Sequence, residues 1–231
     1  VEAFVEILAA ILRRPAFRKA DIAQVKREAL GDLTSLCDDD RALVRRHFRR
    51  YAFGAHDYAR PTSGTTVSLR RIRRADIVGH HARHATGPNL LVAFWGAIDP
   101  ERAMRLCDRH LGGLPRRPAP SRRIPEPRFA RGRRLLVIDK PERTQTQILI
   151  ARPAPRWGEA AWDALHVALT AFGGTFTSRL MTEVRVRRGL SYGAGAAVYG
   201  GRAPRHLELW VFPAAEDTVE TLDLVLRLCD E

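Results

Sequence analysis

The apolar positions of the first hundred residues fall mainly at helical spacing, and those of the last hundred alternate between strand-length runs and helices. Phe4, Ile7, Leu8 and Ile11 recur at helical intervals and predict an amphipathic helix over Val1 to Leu12, stopped by Arg13-Arg14-Pro15. A second helix starts near Asp21, a natural N-cap, and carries Ile22, Val25, Ala29, Leu33 and Leu36 on one face. Asp38-Asp39-Asp40 interrupts the pattern. A third helix, Arg41 to Phe53, follows with Leu43, Val44, Phe48 and Tyr51. The turn-forming run Gly54 to Gly64 (GAHDYARPTSG) reads as a loop, and Leu69 to His84 as a basic helical region with a second start at Asp76. Leu90 to Ile98 is an unbroken apolar run of strand length. Asp99, with Pro100 behind it, then caps a helix to about Leu111, closed by Gly112-Gly113-Leu114-Pro115.

The pattern breaks at residues 116–134, which hold eight arginines, four prolines and a single acid, Glu126. Such a composition predicts a solvated, semi-extended linker between a first unit, 1–115, and a second, 135–231. The second unit opens with strands at Leu135 to Ile138 and Gln147 to Ala151, then a helix at Ala160 to Phe172. A hairpin follows, with Tyr192 to Tyr199 and His206 to Phe212 as its strands around Gly200-Gly201. A last helix, Glu216 to Leu228, has Val219, Leu222, Val225 and Leu226 on one face.

Composition changes this picture little. The chain's 231 residues, 45% apolar, suffice for one large or two small domains with real cores, and no apolar run reaches the length of a membrane span. The net charge of +13 suggests a polyanion partner, but only Lys19, Lys26 and Lys140 among the 39 basic residues are lysine. An arginine bias of that kind speaks of overall composition. There is no aromatic interleaving of the sort single-strand binders use, so nucleic-acid binding stands as a second alternative only. Cys37, Cys107 and Cys229 are odd in number and far apart, form no C-x-x-C pair, and read as small buried hydrophobes.

Candidate chemistry concentrates in Gly173 to Gly193, GGTFTSRLMTEVRVRRGLSYG. From Ser178 onward Leu180, Val184 and Val186 give a loosely helical apolar face, Gly189 stands where a helix C-terminus expects glycine, and Leu190 onward reads as a strand. Arg185 is then late in a helix and Tyr192 early in the next strand, so one cleft wall can hold a guanidinium and a phenol. On spacing alone, an exposed arginine and a half-buried strand tyrosine are the better account of these residues.

This stretch resembles the second homologous half of the pitrilysin/insulinase family of zinc metallopeptidases, through its glycines, S-R-L, Arg, G-L and Tyr in order. G-A-H-D-Y-A-R-P-T-S-G-T, G-P-N-L, G-A-I-D-P and G-G-L-P are similar to the family's first half. The resemblance implies an α+β fold of two related halves, each a mainly antiparallel sheet packed with helices, with both ends of the present chain truncated. It implies that Arg185 binds substrate and that Tyr192 binds substrate and acts as a catalytic hydrogen-bond donor to the oxyanion.

The family's zinc needs H-x-x-E-H and a later Glu ligand, and the sequence contains neither H-x-x-E-H nor H-E-x-x-H. On the helix where the later ligands belong, Val25 and Asp32 fall at the family's two glutamate positions, and Val25 cannot replace a carboxylate. No metal ligand is therefore assigned in this chain, and zinc is expected on a homologous partner subunit or a missing segment. His80 and His84 lie one turn apart, but no carboxylate or Cys close in sequence completes a site. The expected substrate is a peptide or small unfolded protein, in a bacterial periplasm or cytoplasm. The alternative is a non-catalytic core-type subunit of the same fold.

Overall fold

The computed structural model describes residues 1–121, 123–129, 131–203 and 206–231, which fall into two compact units. One comprises residues 1–33 and 63–123, the other 34–62 and 124–231. The second unit thus takes in residues 34–62 from the helical region that the composition places with 1–115.

Every regular element among the first unit's described residues is a helix. Its elements are α1 (Glu2–Arg13), most of α2 (Lys19–Ser35), α4 (Thr66–Arg71), α5 (Arg74–His84) and α6 (Pro100–Leu111). Helices α1 and α6 bury Ala9, Leu111 and Leu114 against Leu12, Leu90, Val92 and Cys107. The carboxylate of Glu2 accepts from Arg109 at 3.0 Å across the same pair. The expected cap is present, since the Asp99 side chain accepts from the Arg102 N–H at 2.8 Å with Pro100 in the first turn.

The apolar run Leu90 to Ile98 is not a strand. No chain pairs with it among the described residues, and Leu91 and Trp95 stand 90% and 102% exposed. A strand exists only through the partner that takes up its backbone N–H and C=O groups, and composition does not supply one. The basic region expected as Leu69 to His84 divides into α4 and α5, because Thr65 and Ser68 form a reciprocal capping box on α4 and Asp76 caps back onto the Arg73 N–H at 2.7 Å.

The second unit is built on an antiparallel sheet of β1 (Ile148–Pro153), β2 (Ser191–Val198) and β3 (His206–Pro213), in the order β1-β3-β2. The register sets Ile148, Val211 and Ala194 in one row and Ile150, Leu209 and Ala196 in the next. Successive side chains of a strand alternate faces, so this face is apolar. It packs on Leu169 of α7 (Ala160–Leu169), on Leu224, Val225 and Leu228 of α9 (Thr218–Asp230), and on Leu180 and Val184 of the segment that follows α7. The intervening residues of β3, His206, Glu208, Trp210 and Phe212, meet α3 (Asp40–Phe53) on the other face. Arg45 of α3 reaches Glu208 at 2.8 Å and Trp210 at 5.5 Å from the ring centroid, Arg41 lies over Phe212, and Phe48 packs on His206.

Leu135 to Ile138 is likewise unpaired, and Leu135 and Val137 are each 75% exposed. The segment walls a cleft of about 1300 Å³ that also takes in α3, the length of β1 and the inner side of α9. The strand expected there fails for the same reason as Leu90 to Ile98: apolar content predicts burial or pairing without naming the partner.

Candidate functional site

Local structure delivers Arg185 and Tyr192 to the same surface. After α7 the chain widens into a π-helical segment, Thr170–Gly174. The Ser178 hydroxyl then caps the short helix α8 (Arg179–Met181), and a second π segment runs Thr182–Arg187. Interrupted helices of this sort recur at functional sites because the wider turn re-aims side chains. Leu180 and Val184 are fully buried and anchor the segment, whereas Val186 is exposed. Val186 therefore leaves the apolar face the sequence predicts, since two residues carry a side chain to the far side of a helix. Gly189, at φ +66°, ends the segment in a conformation that costs glycine nothing, and Leu190 N–H bonds back to Val184 C=O at 2.9 Å.

Tyr192 is aimed by a bulge. Between the pairs Ser191↔Pro213 and Ala194↔Val211, β2 advances three residues while β3 advances two. The buried Ser191 hydroxyl stitches this irregularity, donating to Gly193 C=O at 2.7 Å and accepting from the N–H groups of Gly193 at 3.3 Å and Phe212 at 3.2 Å. A bulge bends the strand and redirects the extra side chain, so Tyr192 stands out at 76% exposure between buried Ser191 and half-buried Gly193.

The Arg185 guanidinium carbon lies 4.6 Å from the centroid of the Tyr192 ring and 4.8 Å from that of Phe176. Both are cation–π distances. The nearest acid in sequence, Glu183, is engaged by Arg187 at 2.6 Å. Among the described residues the guanidinium forms no hydrogen bond or ion pair, and the Tyr192 hydroxyl forms none. The site therefore offers an uncommitted cation with in-plane N–H donors next to an uncommitted phenol. That is chemistry for carbonyl and oxyanion acceptors. Neither residue lines the 1300 Å³ cleft, whose walls are mainly apolar side chains.

Sequence patterns do not single out Phe176, and they miss a second polar cluster on the α3 face of the sheet. Glu208, 3% exposed, accepts from Arg45 Nε at 2.9 Å and Nη2 at 2.8 Å, and faces His206 Nε2 at 3.6 Å. Burial alone would raise the Glu208 pKa, but the hydrogen bonds and charges of His206 and Arg45 outweigh it and hold the carboxyl below its ordinary value. His206 stacks on Tyr199 at 5.2 Å, and the nearby Tyr58 hydroxyl donates to Ala203 C=O and accepts from its N–H. Burial pushes the Cys229 thiol up, with Asp230 adding to it and Arg152 opposing.

A zinc site needs three or four converging His, Cys or carboxylate groups. Among the described residues no three such groups converge. Val25 and Asp32 are both exposed, and Glu28 accepts a hydrogen bond from Gln24 at 2.9 Å. The rings of His80 and His84 lie 4.4 Å apart, with no third donor among the described residues. The donor set of the described residues does not fit the metal. Nor, among the described residues, is any helix long and apolar enough to cross a membrane.

Residues 71–229 match the family described as the peptidase M16 inactive domain. A relative from Mycobacterium bovis named an uncharacterized zinc protease is 33% identical over 186 residues, 78% of this chain and 41% of its own length. Human mitochondrial cytochrome b-c1 complex subunit 1 is 23% identical over 111 residues, 48% of this chain and 23% of its own. A peptidase M16 inactive domain from Pseudomonas fluorescens superposes with a TM-score of 0.88 at 22% identity, covering 99% of this chain and 55% of that one. The chain spans less than half the length of the mycobacterial relative. With that domain matched over most of its length and an antiparallel sheet backed by helices, the chain belongs to the peptidase M16 family, in the part described as its inactive domain.

Proposed function

We propose that this chain contributes Arg185 and Tyr192 to a peptide-bond-hydrolysing site whose zinc and general base lie on other residues, in a homologous partner subunit or a longer polypeptide. The observation that carries this reading is the Arg185–Tyr192 stack, 4.6 Å from guanidinium carbon to ring centroid, with both sets of donors uncommitted on an exposed face. In this role Arg185 donates to a carbonyl of the bound peptide backbone and fixes its register. Tyr192 donates its O–H to the oxygen that gains negative charge when the scissile carbonyl becomes tetrahedral. A preplaced donor acts where charge develops, and losing one costs about 10²–10³ in kcat. The relatives' naming as zinc proteases supports the reaction class.

The test is reconstitution with a homologous zinc-bearing subunit on an unstructured peptide. Activity should appear only in the mixture, and Tyr192→Phe should lower kcat by about 10²-fold with the complex still formed. An unchanged kcat removes Tyr192 from the chemistry. A second reading, a non-catalytic structural subunit, is supported by the similarity to cytochrome b-c1 complex subunit 1. It predicts a stable complex that cleaves nothing and is indifferent to both substitutions.

A further inference from the structure

We propose that Phe176 is a positioning residue for Arg185, forming with Tyr192 a pair of aromatic contacts that restrain the guanidinium; the inference rests on Arg185 binding substrate as described above. Phe176 lies between the Gly173-Gly174 pair and the Ser178 cap, 70% exposed, in a part of the chain where an apolar ring has no core to enter. Its exposure is accounted for by its contact. The Arg185 guanidinium carbon is 4.8 Å from the Phe176 centroid and 4.6 Å from that of Tyr192, so rings from two separate elements hold one cation.

Several features make these contacts matter. A free arginine side chain samples many rotamers, and binding through it costs the entropy of fixing them. Contact with two ring faces restricts those rotamers, and among the described residues no protein acceptor takes up the N–H donors. The carboxylate that could otherwise pull it aside, Glu183, is held by Arg187. The backbone beneath is fixed by fully buried Leu180 and Val184 on one side and by the Ser191 stitch on the other. The ligand class that suits such donors is an oxygen acceptor, namely a peptide carbonyl of an extended substrate.

The direct test reads Arg185 without activity. In ¹H–¹⁵N spectra of the chain, the Arg185 Nε–Hε resonance, identified by its loss in Arg185→Lys, should lie upfield through the ring currents of both aromatics. It should move downfield in Phe176→Leu and return in Phe176→Tyr. Because Phe176 is exposed, the leucine variant keeps its fold, which an unchanged far-ultraviolet dichroism confirms. In the reconstituted peptidase, Phe176→Leu should raise KM about two- to fivefold with kcat nearly unchanged, the size expected for one exposed cation–π contact, and Phe176→Tyr should restore it. An Arg185 resonance that ignores Phe176→Leu overturns the proposal, as does a loss confined to kcat. If Arg185→Lys and Tyr192→Phe leave peptidase activity intact, the catalytic reading fails by itself, and the resonance alone decides whether Phe176 holds Arg185.

Discussion

Glu208→Ala isolates the polar tie between α3 and the sheet. The substitution removes the carboxylate that takes two hydrogen bonds from Arg45, at 2.8 and 2.9 Å, and faces His206 at 3.6 Å. Breaking a fully buried pair by deleting one partner costs about 3–5 kcal/mol, because the other charge is stranded. Here the Arg45 side chain is 32% exposed and can turn partly to water, which lowers the expected loss to about 2–3 kcal/mol. For a chain of this length that corresponds to a fall in Tm of about 4–12 °C at pH 7. Since the folded Glu208 pKa is depressed, its ionisation stabilises the fold above the unfolded carboxylate value. That contribution fades as pH falls through the lower folded value. The Tm gap between wild type and Glu208→Ala should therefore be full at pH 7, hold to about pH 5 and narrow in acid. Thermal melts by circular dichroism across that range measure it, and a cycle with Arg45→Met should return a coupling of at least about 1 kcal/mol. The reasoning is refuted if the variant melts with wild type at pH 7, or if the gap widens in acid.

The remaining expectations concern the frame around Arg185 and Tyr192. Ser191→Ala should cost about 1–2 kcal/mol in chemical denaturation by leaving the Gly193 and Phe212 N–H groups without their shared acceptor, and an unchanged midpoint would mean the bulge holds itself. Gly195→Ala places a Cβ 2.4 Å from Trp210 Cζ2, so it should destabilise by about 1–3 kcal/mol and shift the tryptophan emission; neutrality would show that the indole moves freely. Gly189→Ala forces a side chain to φ +66° and should cost about 1 kcal/mol in the same assay. Zinc titrated by calorimetry into the chain alone should show no stoichiometric high-affinity site, and a 1:1 transition would overturn the donor-set argument.

How much of this was legible in the sequence depended on whether a feature is local. The helices α1, α3, α6 and α9 and the β2–β3 hairpin follow from periodicity and caps, because an apolar stripe at 3.6 spacing or a run at period two can bury itself in few ways. The placing of Arg185 at a helix end and Tyr192 at a strand start is local as well, set by the six intervening residues, Gly189 among them. Leu90 to Ile98 and Leu135 to Ile138 have strand composition, yet a strand is a relation between two segments and neither finds its partner among the described residues. The pairing of residues 34–62 with 124–231, the Arg45–Glu208–His206 cluster and the bulge under Tyr192 all join positions far apart in the chain. Phe176 is the sharpest case. In sequence it is one aromatic among polar and small neighbours, and only the folded chain, by setting its ring against a guanidinium that Tyr192 also contacts, gives it a physical task.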